Sequence, residues 1–193
     1  YISFDFIFGD YSPSGGGGIF PMIVTTILMI LISLLIATPI GILAAVYLHE
    51  YARQGRLVSI IRYATESLTG IPSIIYGLFG AVFFVAILKL GMSIIAASLT
   101  LTIIVLPVII RTTEEALKTV PATYREGSLA LGTTKLQTLL KVILPSAMPG
   151  ILSGIILSIG RIVGESAAIF LTAGTVAAMP SSIFSSARTL TVH

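Results

Sequence analysis

Arg161 and Glu165 stand four positions apart in a passage, Gly150 to Leu171, that is otherwise almost wholly apolar. On a helix that spacing puts both side chains on one face. A guanidinium offers an oxyanion a planar fork of donors, and a carboxylate one turn away can hold the fork while no anion is bound. The same two groups can also form an intrahelical ion pair that only fixes packing, and the spacing leaves both readings open. Counted from Gly150 at about 1.5 Å per residue, Arg161 lies roughly 17 Å along, near the middle of a hydrocarbon core about 30 Å thick. A charge at that depth costs several kcal/mol, so it must face protein or a wet path.

The other chemistry-bearing stretch runs from Arg111 to Pro149 and reads RTTEEALKTVPATYREGSLALGTTKLQTLLKVILPSAMP. It holds five of the eleven basic residues: Arg111, Lys118, Arg125, Lys135 and Lys141. Pro121 suits the first turn of a helix, where a missing N–H costs nothing, and Gly132 suits the left-handed position just past a helix end. Thr134 and Gln137 have capping-box spacing, and Leu136, Leu139, Leu140 and Ile143 recur at the offsets of one helical face. The first helix brings Tyr124, Gly127, Ser128 and Leu131 near one another, with small residues that let another backbone approach. The stretch therefore reads as helix, glycine turn, amphipathic helix; an ordinary polar connector would carry similar turn signals.

The elements that hold these two stretches are membrane spans. Hydrophobic residues make up 55% of the chain and charged ones 10%, against about 25% charged in an average soluble domain. Apolar runs at Ile19–Leu48, 71–88, 93–110 and 150–171 predict an all-α polytopic transmembrane bundle with four spans in this chain. Pro39 with Gly41 and Pro107 should distort the inner ends of the first and third spans. Lys89, Leu90 and Gly91 leave room only for a tight turn between the second and third. The pair Arg62 and Glu66 falls near the inner boundary and reads as an interfacial ion pair.

The expected inner loops, residues 49–62 and 111–149, carry eight basic residues, and the outer segments, residues 1–18 and 172–193, with the turn at Lys89, carry two. That bias places 49–62 and 111–149 in the cytoplasm and both ends outside. Basic residues scattered in loops, with no basic face, argue against nucleic-acid binding in spite of a pI near 9.3. The chain has no cysteine, and neither His49 nor His193 has a neighbour at metal-ligand spacing. No nucleophile and base pattern suggests an enzyme.

Glu126, Gly132, Leu144 and Pro145 have the spacing of the EAA loop of ABC-importer membrane subunits, with Gly127 and Ser128 where the two alanines would stand. Beyond the loop, GIPS and IYGLFG (70–80), LPVIIRTTEEAL (106–117), VPATYREGSLALG (120–132), GRIVGES (160–166), GGGIFP and GILAAVYLHEYA (41–52) resemble the A-type permease subunit of bacterial phosphate ABC importers. The resemblance implies a permease of six transmembrane helices, of which this chain, an internal fragment, holds four. It implies a C-type permease partner, a cytoplasmic ATPase dimer, and an extracytoplasmic phosphate-binding protein. Within it, Tyr124, Glu126, Gly127, Ser128, Gly132, Leu144 and Pro145 would couple to the ATPase, and Arg161 and Glu165 would line the phosphate path. No Walker lysine motif occurs here, so ATP and Mg would be bound by the ATPase partner, with no cofactor in this chain. A permease for molybdate or sulfate, or an ion-coupled carrier working without ATP, are the competing readings.

Overall fold

The structure is a computed structural model and describes residues 7–9, 11, 17–53 and 55–193. Most of the expected outer segment 1–18, including Gly15 and Gly16, lies outside the described residues. In chain order the helices are α1 (Phe20–Val46, lengthened by a π turn Tyr47–Tyr51), α2 (Arg56–Thr69) and α3 (Ser73–Gly80, prolonged by a π segment Ala81–Ile87). There follow α4 (Ile94–Thr119), α5 (Ala122–Ala130), α6 (Lys135–Thr138), a π turn Leu139–Ile143, α7 (Leu144–Gly164) and α8 (Ala167–Ala173). Three runs are long and apolar enough to cross a bilayer: Phe20–Tyr51, Ile94–Thr119 and Lys135–Gly164. The bent pair Arg56–Thr69 and Ser73–Ile87 makes a fourth if counted as one.

The ends of these runs differ from the sequence reading. The third span does not stop at residue 110; α4 continues unbroken through Pro107 to Thr119, because Thr113, Ala116 and Leu117 keep burying one face. The fourth does not run to residue 171; it breaks after Gly164 and resumes at Ala167. Pro121 stands at the cap of α5 with ψ 139°, just outside the first turn. The tight turn between α3 and α4 is present, with Lys89 at φ 55° and Gly91 at φ 66°.

The chain divides into two compact units. One comprises Tyr1–Ile36, Ile71–Val105 and Ile159–His193. In it α3 lies close against α8: a Cβ on Gly77 would stand 2.8 Å from the Ala168 Cα, and one on Gly80 would stand 2.9 Å from the Thr172 Cγ2. Buried hydroxyls join α1 to α4, with Ser33 Oγ donating to the Ser98 carbonyl at 3.0 Å. The residues after α8 fold back on the same unit. The Ile94 and Ile95 N–H groups donate to the Ser185 and Ile183 carbonyls at 3.1 and 3.0 Å, and the Ala187 N–H to the Ala173 carbonyl at 3.1 Å. Residues 172–193 are thus partly structural cover, with Ala187 and Thr189 buried.

The second unit comprises Ala37–Gly70 and Leu106–Ser158. Its core gathers Val46, Leu117, Leu139, Ile143, Ala147 and Ile151. Here α7 meets α4 through small residues four apart on each helix. A Cβ on Gly150 would stand 2.6 Å from the Ala116 Cβ, and one on Gly154 would stand 2.8 Å from the Thr112 Cβ. Between apolar helices, where lipid tails compete equally for contact, this close backbone approach supplies the van der Waals attraction. Replacing Gly154 with leucine forces these helices apart at a cost of about 1–3 kcal/mol. The expected outcome is a lower melting temperature and lower yield in detergent, whereas Gly160→Ala, which meets nothing within 4 Å, leaves both near wild type.

Candidate functional site

The stretch 120–145 forms a braced helical hairpin. Gly132 takes φ 81° just after α5, and the Leu131 N–H donates to the Gly127 carbonyl at 3.2 Å, so the helix end is closed by a left-handed glycine. Thr134 caps α6: its Oγ1 accepts the Gln137 N–H at 3.2 Å, and Gln137 Oε1 accepts the Thr134 N–H at 3.1 Å. Between the helices a hydroxyl triangle joins Ser128 to Thr133 (2.8 Å), Ser128 to Thr138 (3.0 Å) and Thr133 to Thr138 (2.8 Å). With the Thr133 hydroxyl proton donated to the Ser128 carbonyl at 2.8 Å, the Ser128 and Thr138 protons serve the close contacts of the triangle. Ser128 therefore serves by its hydroxyl as well as its small size. Gly127 has nothing within 4 Å of a Cβ position, so an alanine would fit there.

The four apolar residues of the second helix do not share one buried face. Leu139 and Ile143 are buried, while Leu136 and Leu140 are 56% and 54% exposed. The π turn Leu139–Ile143 separates them, and its Leu144 N–H donates to the Leu139 carbonyl. Pro145 supplies the reason: it has no N–H, and its ring needs room near the carbonyl four residues back, which a widened turn gives. Leu144 packs against the core of the unit, and Pro145 is exposed. Tyr124, Glu126, Leu131, Leu136 and Leu140 form the exposed side of the hairpin.

Ion pairs, which the sequence reading did not anticipate, tie the hairpin and α2 to the rest of this unit. Arg125 pairs with Glu50, and the His49 Nδ1 lies 3.0 Å from the same Glu50 Oε1. Arg62 reaches Glu114 at 2.6 Å, Lys118 reaches Glu114 at 3.3 Å, and Arg111 reaches both Glu66 (3.0 Å) and Glu115 (3.1 Å). So Arg62 and Glu66, expected as a local pair, instead join α2 to α4. The signal was available as charge parity: LPVIIRTTEEALK places acid and base at spacings of three and four, facing a helix that repeats the pattern.

Arg161 and Glu165 do not sit on one continuous helix. Arg161 is in the last turn of α7, and Glu165 follows the helix end at Gly164. Its buried carboxylate accepts the Ala168 N–H at 3.2 Å, and its backbone carbonyl accepts the Thr191 hydroxyl at 2.9 Å. Among the described residues no ion pair joins the two. The low helix propensity of Gly160 and Gly164 favours the break.

Residues 37–191 match the family of binding-protein-dependent transport system inner membrane components. The chain belongs to this family. It is 38% identical to the probable ABC transporter permease protein YqgI of Bacillus subtilis (strain 168), with all of this chain and 70% of that protein covered. It is 39% identical to the phosphate transport system permease protein PstA 1 of Mycobacterium tuberculosis (strain ATCC 25618 / H37Rv), covering 82% of this chain and 51% of that one. For the phosphate transport system permease protein PstA of Pasteurella multocida (strain Pm70) the identity is 40%, over 86% and 60%. The chain thus spans from about half to 70% of the length of these curated relatives. A solved inward-facing conformation of the MetNI methionine ABC transporter aligns with a TM-score of 0.63 and 27% identity, over 78% of this chain and 70% of that one.

As a member of the family, the chain is a multi-pass membrane protein, and its hairpin is braced by a capping box, a hydroxyl cluster and the Arg125–Glu50 pair. Glu50 is the hub of that brace and is largely buried. Removing its partner with Arg125→Gln leaves the carboxylate to His49 alone and should cost about 1–3 kcal/mol. Gly127→Ala should stabilise α5 by about 0.4–1 kcal/mol, through a smaller loss of backbone entropy. Thermal melts of the two variants in one detergent, moving in opposite directions, check both expectations.

Proposed function

We propose that this chain is the A-type transmembrane subunit of a phosphate importer powered by a separate cytoplasmic ATPase. The hairpin α5–Gly132–α6 docks into that ATPase, with Tyr124, Glu126, Gly127, Ser128, Gly132, Leu144 and Pro145 forming or shaping the docking element. The observation that carries the reading is the construction of the hairpin. Capping box, hydroxyl triangle and Arg125–Glu50 pair make it rigid, while it still exposes Tyr124, Leu131 and Leu136. An ATPase in water can move a site in the membrane only through such a rigid piece. The resemblance to the phosphate transport system permeases supports phosphate as the cargo.

In this assignment residues 49–62 and 111–149 lie on the cytoplasmic side, and residues 1–18 and 172–193 outside, in keeping with the basic residues of the former. The partners are a C-type permease, an ATPase dimer binding ATP and Mg, an extracytoplasmic phosphate-binding protein and the lipid bilayer. Arg161, at the end of α7 where the helix breaks, is positioned to offer its fork to the anion, since broken helices bring polar termini to a transport path. Glu165 shapes that path by holding the start of α8.

Gly132→Val tests the docking role, because its effect is confined to the backbone: φ 81° costs a residue with a side chain about 1–2 kcal/mol, and no atom lies within 4 Å to be struck. Loss of ATPase co-purification, with at least a tenfold loss of phosphate-stimulated hydrolysis, is expected. Full retention of both would count against the role. For the path, Arg161→Gln should abolish uptake of labelled phosphate in proteoliposomes without lowering complex yield, and Arg161→Lys should restore it only in part. Wild-type uptake by Arg161→Gln would refute the contact with the anion.

A further inference from the structure

Helix α2 is amphipathic in the reverse sense of a helix on a water-soluble domain. Its charged side is the inner one: Arg62 is paired with Glu114 and Glu66 with Arg111, and Val58 is buried beside them. Its apolar side faces outward, with Leu57 75%, Ile60 63% and Ile61 42% exposed, and Leu68 continuing the stripe. At about 100° per residue these four fall within one sector of the helix, opposite Arg62 and Glu66. The ion pairs fix the rotation, so the helix cannot turn its stripe inward.

Arg56 opens the helix and Arg53 lies three residues before it; both are exposed, and neither takes part in an ion pair among the described residues. Tyr63, 74% exposed, flanks the stripe with a ring suited to a membrane–water boundary. The chain after α2 passes through Gly70–Pro72 directly into the apolar α3.

We propose that α2 lies in the interfacial layer of the bilayer, with Leu57, Ile60, Ile61 and Leu68 against the acyl chains and with Arg53 and Arg56 holding anionic phospholipid headgroups. A neutral stripe alone would suit lipid or another protein equally. The two unpaired cations at its edge favour a surface that carries phosphodiester charge, since each arginine near an anionic leaflet gains a several-fold preference for it. This requires only that the protein is an integral membrane protein, and it stands or falls apart from the identity of the transported anion.

The chain contains no cysteine, so Leu57→Cys creates a single labelling position in it, at a side chain too exposed to matter for folding. The assembled complex carrying nitrobenzoxadiazole at this position is placed in nanodiscs, with background subtracted from the complex lacking the added cysteine. Quenching is then compared for doxyl-labelled phosphatidylglycerol and phosphatidylcholine at equal mole fraction. Quenching by both lipids is expected, stronger by roughly fivefold for the anionic one, and that preference should vanish in Arg53→Gln/Arg56→Gln. A probe at Ser59→Cys, two residues on and about 200° around the helix, should be quenched much less. No quenching at position 57 would mean that another subunit covers the stripe, and equal quenching by the two lipids would remove the headgroup assignment. Either result overturns the proposal.

Discussion

The close contact of α4 with α7 in the second unit is the constraint on which the rest of that unit depends. Gly150 and Gly154 leave no room for a Cβ against Ala116 and Thr112. With those backbones fixed, every other side chain of α4 is assigned. Thr113, Ala116 and Leu117 face the core, and Arg111, Glu114, Glu115 and Lys118 are turned to the rim, where α2 is received. A single helix thus presents a steric face to one neighbour and an electrostatic face to another. Arg111, Glu115 and Lys118 are half exposed there and carry specificity of position more than stability, while the buried Glu114 takes both Arg62 and Lys118.

The hairpin illustrates a different use of polarity. No charge crosses between α5 and α6; three hydroxyls do the joining, each able to donate once and accept again. Such a cluster is satisfied within itself and does not depend on water. Arg125 then fastens the hairpin to the π turn that ends the first long helix, through Glu50. The exposed side is left with an aromatic ring and leucines, the side chains that form the energetic centres of protein contacts when desolvated.

How far the sequence carried this reading can be judged from particular residues. Gly132, Thr134 and Gln137 were legible because caps and left-handed turns are local, and their hydrogen bonds close within four residues. The apolar runs were legible because a bilayer imposes length and composition together. The end of α4 was not, since Arg111 looks like the boundary of a span until Glu66, far away in sequence, is seen to neutralise it. The shared helical face expected for Arg161 and Glu165 failed for a related reason. A spacing of four implies one face only if the helix persists, and two glycines with a competing backbone N–H at Ala168 end it in between. Periodicity reports what a helix would do, and tertiary partners decide whether there is one.

The chain after α8 completes the start of α4. The amide protons of Ile94 and Ile95 belong to a helix beginning, where the helix itself supplies no acceptors, and they are satisfied by the carbonyls of Ser185 and Ile183. The acceptor for Ile94 lies 185 − 94 = 91 residues later in the chain. At about 5–20 residues per second, a ribosome needs roughly 5–18 s to make that distance. Because α4 is complete only at Thr119, two of its first donors await these acceptors for the last 185 − 119 = 66 residues of that interval, which ties the satisfaction of the start of α4 to translation through residue 185.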